Sequence, residues 1–146
     1  MRVLIQRVTS ASVAVEGAVV GQIGQGLLAL VGIEPADTTQ TLLKMANKLL
    51  AYRVFNDADG KMNLNVEQVE GGVLLVSQFT LAADTDKGLR PGFSTAAPPQ
   101  HAQALFNEFV ALIRTRWAKT QTGQFGADMQ VALINDGPVT FLLQMK

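Results

Sequence analysis

Apolar residues along this chain first cluster in short runs broken by glycine, then take up helical spacing, and that succession repeats before the chain closes on two further short runs. Val3 to Val8 and Ala11 to Val15 are rich in β-branched residues, Gly17 marks a turn, and Val19 to Ile23 and Leu27 to Ile33 follow with Gly21, Gly24 and Gly26 as punctuation. These runs predict strands in a meander. Asp37 offers a helix N-cap with Gln40 three residues on, and Leu42, Met45, Ala46, Leu49 and Leu50 then share one helical face. A helix over Thr38 to Tyr52 is expected. Gly71 to Gln78 is a hydrophobic run suited to a buried strand, and it delivers Ser77, Gln78, Phe79 and Thr80 at its exit, where polar groups are well placed for a site. Proline is tolerated in a first helical turn, so Pro98-Pro99 followed by the stripe Ala102, Leu105, Phe106, Phe109, Ile113 and Trp117 predicts a second helix from Pro99 to Lys119. Met129 to Ile134 and Val139 to Leu143 read as closing strands. The succession is α+β: one domain over residues 1–146, with a largely antiparallel, barrel-like sheet and two main helices.

Between the last two runs lies Asn135-Asp136-Gly137-Pro138-Val139-Thr140, which admits two readings. One is a hairpin turn, because Asn, Asp and Gly tolerate the left-handed backbone that tight turns need. The other is a rigid, specially shaped loop. Proline removes a backbone donor, fixes φ and permits a cis bond, so Gly137-Pro138 would aim its carbonyls where an ordinary turn does not. The residues alone leave both open.

With 146 residues, 48% of them apolar, the chain fills one core and is short for two. Cysteine is absent, which excludes a disulfide framework, a thiol nucleophile and a Cys-based zinc site and fits a reducing, cytoplasmic compartment. Arginines interrupt the opening Met1-Arg2-Val3-Leu4-Ile5-Gln6-Arg7 before a signal-peptide stretch forms, and no run approaches the roughly 20 apolar residues of a membrane span. A soluble, unprocessed protein is expected, without a membrane partner. Twelve basic residues cancel twelve acidic ones, which argues against holding long nucleic acid, DNA included, by phosphate neutralisation, while a short RNA end stays open. Arg114, Arg116 and Lys119 at the end of the second helix read as solvated surface; Lys87 and Arg90 lie in a glycine-rich loop.

The inventory of reactive groups is small. Asn56 to Lys61 resembles half of a calcium loop, but the position where the bidentate glutamate belongs is Val66, so no metal is expected. His101, the only histidine, stands in the first turn of the second helix and reads as surface rather than as a base. Gly21-x-x-Gly24-x-Gly26 has no helix behind it to hold a phosphate, so no nucleotide cofactor is suggested. What remains is Ser77 and Thr80 with nearby backbone amides, and an amide-lined pocket stabilises the oxyanion of acyl transfer without any titrating side chain. Taken alone, Ser77 to Thr80 also fits an ordinary strand end.

In combination these segments carry more. Ser77-Gln78-Phe79-Thr80-Leu81, then Lys87-Gly88-x-Arg90-Pro91-x-Phe93, then Gly123-x-Phe125-Gly126-Ala127-x-Met129, then Asn135-x-Gly137-Pro138-Val139-Thr140, closely resemble the D-aminoacyl-tRNA deacylases. The opening Met1-Arg2-Val3-x-Ile5-Gln6-Arg7-Val8 is similar to that family's first strand, and the resemblance runs the length of the chain.

The resemblance implies hydrolysis of the ester between a D-amino acid and the 3′-terminal ribose of tRNA, and removal of glycine mischarged onto tRNA for alanine, without a cofactor. It implies a homodimer whose Gly137-Pro138 peptide is cis and whose loop enters the partner's pocket. There Gly137 and Pro138 would present carbonyls to the substrate's α-amino group and crowd the place of an L side chain, so selectivity comes from exclusion. Catalytic roles fall to Ser77, Gln78, Phe79 and Thr80. Either Thr80 Oγ1 is the nucleophile, or the terminal 2′-hydroxyl of the tRNA assists a water while amides near Phe79 and Thr80 hold the oxyanion. The second is favoured, because no neighbouring residue in the sequence is an obvious base for Thr80. Arg7 is the candidate for holding the Gly-Pro loop through its fork of donors, against the alternative of a solvated strand arginine, and Met129 would pack nearby. Two further classes remain: a non-catalytic dimeric module that binds RNA or another partner, and a hydrolase of small D-amino acid esters.

Overall fold

The computed structural model describes residues 1–146. Strand β1 (Arg2–Val15) forms one long antiparallel hairpin with β2 (Ala18–Ile23) and β3 (Gly26–Gly32): Ala11 to Val15 pair with β2, and Arg2 to Val8 pair with β3. The expected meander is therefore not formed. The chain pauses at Gly24-Gln25 without reversing, so β2 and β3 both lie against β1 instead of pairing with each other.

Helix α1 (Thr39–Ala51) ends one residue short of the expected limit, and its cap is displaced by one. Thr38, not Asp37, is the N-cap, and it forms a capping box with Thr41. Asp37 is buried, and its carboxylate accepts from the Met1 α-ammonium at 2.7 Å and from the Glu34 N–H at 2.7 Å. A side chain so engaged is not free to cap. After the short hairpin β4 (Phe55–Asn56) and β5 (Met62–Leu64), strand β6 (Gly72–Ser77) enters parallel to β3.

Helix α2 (Pro99–Arg116) stops three residues before the expected Lys119. Trp117 is already extended (φ −140°), and Thr120 begins β7 (Thr120–Thr122), which pairs parallel to β6. This polar three-residue strand carries no apolar pattern and was not expected. Strand β8 (Gln130–Gln144) then runs antiparallel along β1, whose other edge is taken by β2 and β3. The outer edge of β8 has no backbone partner.

The sheet curls into a nearly closed barrel. Where β2 passes β7, Gly21 makes the approach possible, since a Cβ there would collide with the carbonyl of Thr122. Both faces of β3 and β6 are covered, which is why they read as continuous apolar runs. Leu27, Ala29, Val31, Val73 and Leu75 face α1 and α2 in the main core. Leu28, Leu74 and Val76 point the other way, into a smaller core with Val8, Ala11, Val13 and Ile23. No helix is long and apolar enough to cross a membrane.

The structure separates the two readings of Gly137-Pro138. The runs on either side of it do not pair with each other: both pair with β1, so a hairpin turn is excluded. Gln6 faces Thr140 and Val8 faces Asn135, so Arg7 alone stands opposite Asp136, Gly137, Pro138 and Val139. The segment is a wide bulge within one strand. Its Gly137–Pro138 peptide is cis.

Candidate active site

Strands β3, β6 and β7 run parallel, so their carboxyl ends open on one side of the sheet, where loops are free to enclose a ligand. The chain leaving β6 makes a 3-10 turn, Phe79–Ala82, whose first residues, Phe79 and Thr80, have no earlier carbonyl within the turn to take their N–H groups. The next loop is drawn back by a two-bond bridge between Asp84 and Gly92 (2.8 and 2.9 Å) and by Thr95 Oγ1 donating to the Ala82 carbonyl at 2.6 Å. Ala97 then donates its N–H to the Ile33 carbonyl just past the end of β3, at 3.3 Å.

Between this loop and the one after β7 lies a cavity of about 750 Å³, within the range typical of ligand pockets. Ser77, Gln78 and Phe79 line it from β6, Phe93 and Ala96 to Pro99 from the second loop, and Phe125 to Met129 from the third. Phe79 and Phe93 stack at 5.3 Å between ring centroids, and Phe106 supports Phe125 at 5.9 Å. Asp128 is the one charged residue in the lining, and no cation joins it. Thr80 is exposed beside the lining, and its Oγ1 accepts from Gln78 Nε2 at 2.7 Å. That amide is its hydrogen-bond partner, and an amide is no base.

The remaining candidates form a second constellation. Arg7, only 9% exposed, donates from Nε to the Asp136 carbonyl at 2.9 Å and from Nη1 to the Val54 carbonyl at 2.8 Å. Its Nε also lies 3.3 Å from the Asp136 carboxylate. From the other side Asn135 Nδ2 donates to the carbonyls of Arg7 and Val139, each at 3.0 Å. Gly137 is obligatory in this frame, because a Cβ would collide with Asn135 Oδ1 and the Val139 nitrogen. The solvated reading of Arg7 is thereby overturned: its side chain is buried and its guanidinium is engaged by the Asp136 and Val54 carbonyls.

Of the residues expected to share a site, the structure brings Ser77, Gln78, Phe79 and Met129 together around the cavity with Thr80 beside it, and gathers Arg7, Gly137 and Pro138 elsewhere. Neither Gly137 nor Pro138 lines this chain's own cavity. Among the wall residues not singled out, Phe93 and Phe125 belong to the two glycine-containing segments already noted in sequence, whereas Ala96 to Pro99 carry no chemical signal of their own. His101 is exposed in the first turn of α2, outside the lining.

Fold and cavity define a small mixed-sheet protein with an aromatic-lined cavity at the ends of its parallel strands. The family model described as D-Tyr-tRNA(Tyr) deacylase matches residues 4–144, and the chain belongs to that family. A D-aminoacyl-tRNA deacylase of Saccharophagus degradans is 64% identical over 145 residues, which cover 99% of this chain and 100% of that protein. One from a Marinomonas species is 61% identical over 143 residues, 98% of this chain and 99% of the relative. Among solved structures, the c-Myc DNA Unwinding Element Binding Protein matches with a TM-score of 0.95 at 41% identity, over 99% of this chain and 98% of that one. A probable eukaryotic D-amino acid tRNA deacylase matches at 0.87 and 17% identity over 97% of each chain, a likeness of fold.

Proposed function

We propose that this protein hydrolyses the ester joining a D-amino acid to the 3′-terminal ribose of tRNA, releasing free tRNA and the D-amino acid, and that it treats glycine mischarged onto tRNA for alanine in the same way. Water adds to the ester carbonyl carbon with assistance from the terminal 2′-hydroxyl, the bond to the ribose oxygen breaks, and that oxygen leaves protonated. The N–H groups at Phe79 and Thr80 receive the oxyanion, and Ser77 and Gln78 complete the wall. The amide partner of Thr80 favours this route over a threonine nucleophile, which would need a base.

The observation that carries the reading is the separation within one chain of the cavity and the Gly137-Pro138 bulge, each built in detail. A homodimer resolves it: the bulge of one subunit enters the cavity of the other, Gly137 and Pro138 offer carbonyls to the α-amino group, and an L side chain meets backbone where a D side chain points away. Arg7 positions the bulge, and Met129 packs in the receiving wall. The bulge lies on β8, whose outer edge is unpaired and where Ile134 and Leu142 are exposed, a surface suited to a second copy. The neutral net charge and cysteine-free sequence fit a cytoplasmic enzyme that grips a short RNA end rather than long DNA.

Incubation with D-Tyr-tRNA, L-Tyr-tRNA and a simple D-tyrosine ester tests the reading, with cleavage of the first alone expected. Cleavage of the free ester points instead to a small-ester hydrolase. No cleavage, with retention of RNA or of duplex DNA in a binding assay, points to a nucleic-acid-binding module, as the name of the 41% identical structural neighbour would have it.

A further inference from the structure

The cavity holds no positive charge, yet the proposed substrate continues from its terminal ribose into a polyanionic strand. Phosphates upstream of the ester must be met elsewhere. Lys87 and Arg90 sit on the loop above the cavity, but they share it with Asp84 and Asp86, so that loop offers no net charge.

A different surface does. At the end of α1 an open groove of about 520 Å³ is lined by Lys48, Tyr52, Arg53, Val54, Met62 and Phe141. Lys48 and Tyr52 are one helical turn apart and so share a face, and Arg53 follows directly. Both cations are exposed, neither is paired with a carboxylate, and no acidic residue lines the groove. Tyr52 and Phe141 meet edge to face at 5.9 Å and form an aromatic wall. The groove is also tied to the bulge. Arg7 bonds the Val54 carbonyl in the groove and the Asp136 carbonyl in the bulge with one guanidinium, and Phe141 lies a few residues beyond Pro138 on the same strand.

We propose that this groove binds the phosphodiester backbone of the tRNA 3′ strand, with Lys48 and Arg53 on phosphates against the aromatic wall. The inference rests on the deacylase reading above. Since the bulge enters the partner's cavity in that reading, the groove beside it flanks the mouth of the partner's site, where the strand must leave. Recognition is then divided: the cavity reads the acyl group, and the groove contributes the charge the cavity lacks.

The test compares the full-length wild type with Lys48→Ala/Arg53→Ala on D-Tyr-tRNA and on 3′-D-tyrosyl-adenosine, which has the ester but no upstream phosphate. For the tRNA, KM should rise about tenfold and the salt dependence of kcat/KM should fall by about two charges, with kcat within about twofold. Turnover of the adenosine ester should be unchanged, and Arg53→Lys should restore most of the loss from Arg53→Ala, because a phosphate accepts a point charge. An unchanged KM and salt slope would overturn the groove's role, as would a KM rise accompanied by dissociation in sedimentation, which would make it a contact between copies of this chain. Failure of the wild type on both substrates would instead sink the deacylase reading itself.

Discussion

The two ends of the proposed site are built by opposite means. At the cavity, Ser77 to Phe79 follow from a buried parallel strand, and the side chains hold little in place: Gln78 to Thr80 is the one hydrogen bond between site side chains. At the bulge the backbone is exposed and irregular, and side chains hold it, the buried Arg7 from below and the exposed Asn135 from within. Regular secondary structure suffices to place a few amides at a strand end. A stretch of chain that leaves its ladder needs donors and acceptors supplied one by one, because every carbonyl taken from the sheet must find another partner.

Arg7→Ala breaks the bulge side and should have the largest effect. Turnover of D-aminoacyl-tRNA should fall about 100-fold and the D-over-L ratio with it, as happens when a positioning element shifts by about an ångström. Stability should fall by a smaller amount, about 1–3 kcal/mol, from the carbonyls of Val54 and Asp136 left without their donor. Kinetics on both enantiomers and urea unfolding measure the two; unchanged turnover with an unchanged ratio removes the role of Arg7. On the cavity side, Thr80→Ala should cost less than about tenfold in turnover, since the hydroxyl is asked only to accept from Gln78. A loss of several orders of magnitude with binding intact would make Thr80 the nucleophile.

The smallest effect is one of pH, and it belongs to the bulge side alone. In the β4–β5 turn the Asp57 carboxyl is held below its ordinary value of 3.8, first by the Asn63 side chain and then by the Lys61 N–H. A depressed folded value means the turn gains from the carboxylate above pH 3.8 and loses that gain as pH falls through the lower folded value. This turn leaves β4, whose Asn56 accepts from Arg7 at 3.4 Å, so acid should loosen the turn beside the bulge before the cavity. Amide spectra recorded through an acid titration should show the Asn56 to Asn63 resonances moving ahead of Ser77 to Ala83 in the wild type, and that order lost in Asp57→Asn.

The same contrast sets what the sequence made legible. Strands β3 and β6 were readable as unbroken apolar runs and both helices by their period, and the cavity residues Ser77 to Phe79 follow from where β6 ends. The partner of a strand has no such local trace. Met129 to Ile134 and Val139 to Leu143 look alike whether they pair with each other or lie end to end on β1, and only the length of β1, 14 residues without a break, decides it. The role of Arg7 was half legible for the same reason: an arginine in a strand is usually solvated, and what buries this one is a bulge brought opposite it from the far end of the chain. Strand β7, polar and three residues long, has no pattern to read and is held by its neighbour β6.

The bulge has a further consequence, for colloidal behaviour. At 15 residues β8 is the longest strand, its outer edge is open, and Ile134, Phe141 and Leu142 are exposed along it. A straight edge of that length is a template on which any extended chain can lay itself, the first step toward fibres. Asp136 to Val139 cut that template into two short pieces, and Pro138 has no N–H to offer an intruding strand. Shortening the bulge to restore an uninterrupted β8 should therefore yield a protein that precipitates from solution while its core remains folded.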